Sequence, residues 1–164
     1  MAVGWGRRPV IRDRAGDARR AARRFAAGCA DRAQGEELAR RFFAAAAGGD
    51  ISTLLDLLAP DVVTIGDGGG KAQALREPLR GQAQVARFIV GLFRRGHYLN
   101  ASFRPAWVNG QPGGVSYDAA GRVINFFALD IADGKIRAVR SVLNPDKLAH
   151  LGPVSDVALR PEAD

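Results

Sequence analysis

A change of period constrains this chain more than any other feature. In "GEELARRFFAAAAGGD" and "QAQVARFIVGLFRR" apolar side chains recur at helical spacing, with Leu38, Phe42 and Ala45 on one stripe and Val85, Phe88, Ile89 and Phe93 on another. Between them Asp50 is placed to cap a short helix, "ISTLLDLLA", which Pro60 is expected to end, and "DVVTIG" reads as a short strand. From residue 98 onward four segments read as strands: "YLNASFRPAWV", "GGVSYD", "RVINFFALDIA" and "KIRAVRSVL". Their joints, "NGQPGG", "AAG" and "DG", carry the residues of tight reversals. Three helices followed by a strand meander predict an α+β domain, the helices packed on one face of a curved, mostly antiparallel sheet.

One strand departs from simple alternation. In "RVINFFALDIA" Val123, Phe127, Leu129 and Ile131 are expected to point one way and Ile124, Phe126 and Ala128 the other, so both faces are apolar. Only one can face the helices. The other needs cover from a curl of the sheet, from the tail, or from a second copy or docked domain, and a homodimer through the sheet face is one of the expectations.

Composition sets the outer limits. With 164 residues and 47% hydrophobic content the chain can bury one core. Its apolar runs fall far short of the roughly 20 residues that span a bilayer, and its start, "MAVGWGRRPVIRDR", has no apolar signal core. A cytoplasmic protein without a membrane partner is expected, and the single cysteine, Cys29, fits a reducing compartment. The formal net charge of +7 is unevenly placed: residues 1 to 34 hold nine arginines against three aspartates, leaving 15 basic and 14 acidic residues for the rest. The expected organisation is a basic Ala/Arg-rich arm (1–34), helical or a linker remnant, then one domain (35–152) and a short tail (153–164). Such an arm can neutralise phosphates without reading sequence, so nucleic acid is expected to bind only weakly, through the arm.

"DGGGK", Asp67, Gly68, Gly69, Gly70 and Lys71, suggests a phosphate-binding loop but lacks its spacing. Ile65 stands where the first glycine belongs, and Ala72 stands where a Ser or Thr would hold magnesium. The local reading is a tight strand-to-strand reversal with an exposed lysine. A second segment, "NPDKL", Asn144, Pro145, Asp146, Lys147 and Leu148, reads as a turn in which Asn144 ends the last strand and Pro145 opens a short helix.

Together, in this order and at this separation, "DGGGK" and "NPDKL" resemble the marks of the SnoaL-like extension at the C-terminus of one subgroup of extracytoplasmic-function sigma factors. The resemblance covers about residues 35 to 152 and includes "VNGQPG". It implies the nuclear-transport-factor-two-like fold, a cone of three helices against a bent sheet. It also implies a regulatory role in bacterial transcription initiation, exercised by contact with sigma domains or core RNA polymerase, in which both motifs take part. In that subgroup two sigma domains precede the extension, and 34 residues cannot hold them. A truncated product, an excised domain or a free-standing relative is therefore expected.

Relatives with this fold include cyclases, isomerases and epoxide hydrolases, which makes a SnoaL-type small-molecule binder or enzyme the alternative. Such chemistry needs a carboxylate or Asp/His base inside the cone and a donor for developing negative charge. His97 and His150 are read as solvent-facing. Asp61 starts a strand, Asp133 belongs to a turn, and Asp130 is expected to pair with Arg137 or Arg140 across the hairpin. No complete acid–base set can be assembled, and no metal or cofactor is expected, since two distant histidines and one cysteine give no ligand spacing. A ligand pocket remains open as a reading, with Trp107, Asn109, Phe126, Phe127 and Arg140 as its lining, or the same aromatics fill the core.

Overall fold

The computed structural model describes residues 10–11 and 29–159. Apart from its last few residues and the pair Val10–Ile11, the basic arm lies outside the described residues, as does the end of the tail. The elements in chain order are β1 (Val10–Ile11), α1 (Cys29–Gly48), α2 (Ile51–Leu57), β2 (Leu58–Asp67), β3 (Leu79–Arg80), α3 (Gln82–Tyr98), β4 (Ser102–Val108), β5 (Gln111–Tyr117), β6 (Val123–Ala132), β7 (Lys135–Val142) and α4 (Pro145–Leu148). A 3₁₀ turn, Ala149–Leu151, closes the series.

The local chemistry explains these boundaries. Asp50 caps α2, its carboxylate accepting from the Thr53 amide at 3.1 Å. Pro60 does not end that helix. α2 stops at Leu57, and Pro60 lies inside β2, in the stretch where the register against β7 shifts between Leu58 and Val63. A proline without an N–H is tolerated at such an irregularity. The β4–β5 and β6–β7 hairpins turn on Asn109-Gly110 and Asp133-Gly134, whose φ angles are all positive.

The sheet order is β1-β4-β5-β6-β7-β2-β3. The meander β4 to β7 and the pair β2–β3 are antiparallel, as expected, whereas β2 pairs with β7 in parallel and β1 with β4 likewise. The turn at "DGGGK" is tight, as expected, but it does not lead directly into a strand. The chain turns at Gly68–Lys71, where the amides of Lys71 and Ala72 both donate to the Gly68 carbonyl at 3.0 Å. It rejoins β2 only at Leu79 and Arg80.

Two apolar clusters lie on opposite faces. On the helix face Phe42, Leu54, Val85 and Ile89 pack against Phe127, Leu129, Ile136 and Val139. On the outer face Ala106, Val108, Val115, Phe126, Ala128 and Val142 meet Leu148 of α4, with Leu151 and Val154 beside them. Val123 belongs to this outer cluster, contrary to simple alternation, because β6 carries an extra residue where its register with β5 shifts between Ser116 and Tyr117. A one-residue insertion of this kind flips every residue beyond it.

Of the expected covers for the outer face, the chain's own closing segment is the one seen. Packing continues past residue 152. Val123 donates to the Pro153 carbonyl and accepts from the Ser155 amide, both at 2.8 Å, and Gln73 donates to Ala158 at 2.8 Å. Asp118 reinforces the strap. Its carboxyl is held below the usual range chiefly by the Ser155 hydroxyl, with burial opposing and the Arg122 and Ala120 amides and the Arg122 guanidinium assisting.

Leu148 is fully buried at the centre of this cover. Leu148→Ala is expected to lower unfolding free energy by about 2–5 kcal/mol in urea denaturation, whereas Tyr98→Ala, at a 78% exposed position, should change it by less than about 0.5 kcal/mol.

Candidate functional site

The two motifs, more than seventy positions apart in the sequence, meet in space. Parallel pairing aligns Asp67 with Val142 at the last rungs of β2 and β7, so the loops that follow both strands leave the same edge of the sheet. The Asp67 carbonyl accepts from the Leu143 amide at 2.7 Å and the Asn144 amide at 2.9 Å. Side chains then cross-link the loops in both directions. Lys71 Nζ lies 3.0 Å from an oxygen of Asp146, and Lys147 Nζ lies 2.9 Å from Asp67 Oδ2. Each motif contributes one acid and one base.

Glycine is required where the loops touch. Gly69 has φ of +58°, and a Cβ built there would lie 2.5 Å from both Nδ2 and Oδ1 of Asn144. Asn144 is itself committed as the cap of α4, its Oδ1 accepting from the Asp146 amide at 3.1 Å, with Pro145 in the first turn. Leu148 anchors the motif from below. Lys71 and Asp146 remain 60% and 70% exposed, and exposed pairs contribute at most about 1 kcal/mol each. The backbone bonds to Asp67 and the burial of Leu148 hold the clasp, with the Lys71–Asp146 pair facing solvent and the Lys147–Asp67 pair half-buried.

A cavity of about 770 Å³ opens on the helix side, between α1, the end of α3 and the β4–β6 strands. Its aromatic wall is Phe43, Phe93, Phe103 and Phe127, with Phe43 and Phe103 centroids 4.5 Å apart and Phe93 stacked on Phe127 at 6.0 Å. Gln73 and Leu143, which flank the two motifs, line its other end with Val157 and Ala158 of the strap.

Of the five residues expected to line a pocket, Phe127 alone does. Phe126 lies in the outer cluster. Trp107 and Asn109 are buried away from the cavity, Trp107 beneath the Arg32 guanidinium at 4.3 Å. Arg140 pairs with Asp130 at 2.9 Å, as expected for one of its two candidate partners, and both sit outside the cavity lining. Asp130 Oδ1 is buried with no partner among the described residues, yet Asp130 is not among the residues that line the cavity. Sequence reading missed Phe43, Phe93 and Phe103, although their helical and strand spacing held the signal. It also placed His97 in solvent; it is exposed but lines the cavity rim. Among the described residues no cluster of three His, Cys, Asp or Glu could hold a metal ion, and no helix is long and apolar enough to cross a membrane.

The sequence profile described as SnoaL-like domain matches residues 39–142. The chain belongs to the SnoaL-like domain family. Over 120 residues it is 39% identical to the ECF RNA polymerase sigma factor SigJ of Mycobacterium tuberculosis (strain ATCC 25618 / H37Rv), covering 68% of this chain and 38% of SigJ. The crystal structure of that extracytoplasmic function sigma factor matches at a TM-score of 0.61 and 33% identity, over 86% of this chain and 54% of that one. The SnoaL-like chain thus spans little more than a third of the curated relative it matches. The solved structure named "Rd1NTF2_04 with long sheet" shares the fold at a TM-score of 0.50 and 18% identity, over 65% of this chain and 98% of that one. The resemblance to the SnoaL-like domain of such sigma factors, and the nuclear-transport-factor-two-like fold, are therefore properties of this chain.

The Gly69 contact separates two effects of a methyl group. Gly69→Ala should destabilise the SnoaL-like domain by about 2–3 kcal/mol, combining positive-φ strain with displacement of Asn144. Gly70→Ala also sits at positive φ but meets nothing within 4 Å, and should cost about 1 kcal/mol. Equal losses in urea denaturation would contradict the clasp.

Proposed function

We propose that this domain regulates transcription initiation in the bacterial cytoplasm by protein contact, presenting the clasp of Asp67–Lys71 and Asn144–Leu148 to sigma domains or core RNA polymerase. The observation that carries the reading is the convergence of two distant motifs into one surface on which Lys71 and Asp146 are exposed. Surface loops placed by a rigid scaffold commonly carry binding function, and the relative SigJ is itself a sigma factor. The backbone bonds to Asp67 tie the two loops together, and preorganisation of that kind lowers the cost of binding.

A second reading, a small-molecule site, rests on the cavity. Its lining holds no Asp, Glu or Tyr, so it supports binding more readily than the carboxylate-based proton transfers of enzymes with this fold.

Contact and internal pairing can be separated experimentally. Lys71→Ala or Asp146→Ala should weaken capture of purified sigma domains or core RNA polymerase by roughly tenfold, about 1.4 kcal/mol. The exchange Lys71→Asp with Asp146→Lys restores the internal pair but reverses the outward charges, and capture should stay weak. Recovery in the exchanged protein, or full capture by the alanine variants, would overturn the reading.

A further inference from the structure

The cavity has a rim that the fold does not need. Its wall is largely apolar, yet Arg40, Arg94, Arg95 and His97, all exposed, border it without one carboxylate among the lining residues. Arg40 is engaged by Glu37 at 2.6 Å. Arg94 and Arg95 form no ion pair among the described residues, and they follow directly on Phe93, a member of the aromatic wall. Two guanidinium groups without a carboxylate partner among the described residues therefore stand where the apolar wall ends.

The space itself is built into the sheet. A Cβ at Gly114 would collide with the Phe103 ring, so the bare backbone of β5 lets that ring lie flat against the sheet and leaves the cavity open. Inside, Asn125 is buried, its Nδ2 donating to Ser141 Oγ at 3.1 Å, and Ser116 lies beside it on the lining. At about 770 Å³ the volume suits one small molecule that buries most of its surface.

We propose that the cavity binds an amphipathic monocarboxylate, its hydrocarbon part against Phe43, Phe93, Phe103 and Phe127 and its carboxylate at the Arg94–Arg95 rim. A guanidinium takes a carboxylate through two parallel hydrogen bonds, and an apolar cleft edged by one sign of charge concentrates the opposite sign. A neutral molecule of the same length gains the burial but not the ion pair. A cationic one meets like charge. This inference rests on the cavity and is independent of the protein-contact reading.

The test is titration calorimetry with dodecanoate, dodecanol and dodecyltrimethylammonium, each below the concentration at which it self-associates. Dodecanoate should bind at least about tenfold more tightly than dodecanol, as expected for a charge-assisted hydrogen bond, and the ammonium most weakly. In the Arg94→Gln/Arg95→Gln protein dodecanoate should fall to the affinity of dodecanol, with dodecanol unchanged. Ser116→Phe, checked for native circular dichroism, should abolish binding of both. Equal binding of all three compounds, no binding of dodecanoate, a preference that survives loss of both arginines, or binding that survives the filled cavity would each overturn the proposal.

Discussion

The parallel pairing of β2 with β7 is the constraint on which the rest of the structure depends. Antiparallel neighbours end at opposite edges, and a strand of eight residues spans roughly 26 Å, so an antiparallel pair would hold the two motifs a strand length apart. Running in the same direction, β2 and β7 finish together at Asp67 and Val142. The two loops then share one edge, and the Asp67 carbonyl can bind both amides that open the second motif. The charges of the clasp decorate this arrangement and contribute little to holding it.

The same edge organises the cover of the sheet. Because α4 starts beside the "DGGGK" loop, Leu148 drops onto the outer face and the chain continues as a strap across Val123 to Ala72 and Gln73. The outer apolar face is sealed from within. The strap also completes the cavity, since Val157 and Ala158 line it together with Gln73 and Leu143. Cavity and clasp share a wall, with Leu143 directly preceding Asn144 and Gln73 two residues past Lys71.

Much of the fold was legible because period is a local property. The helical stripe of Phe42 and Ala45 and the alternation of β6 are set by neighbours a few residues away, while "DGGGK" stands out by its glycines and "NPDKL" by the family resemblance. What was not legible depends on distant pairing. Nothing in "DVVTIG" marks a parallel partner more than seventy residues later. Face assignments failed for a related reason. One extra residue in β6 moves Val123 to the outer side, and no local pattern announces it. The cavity lining is the least legible feature, because Trp107, Asn109 and Arg140 have suitable chemistry, while the observed lining follows from which helix end overhangs which strands.

That the two motifs act as one contact surface is tested most directly by hydrogen–deuterium exchange of this chain, alone and with sigma domains or core RNA polymerase. Amides of 67–71 and 144–148 should gain protection together on complex formation, with the helix face unchanged. Protection of one motif without the other, or of the α1–α3 face in place of both, would contradict it.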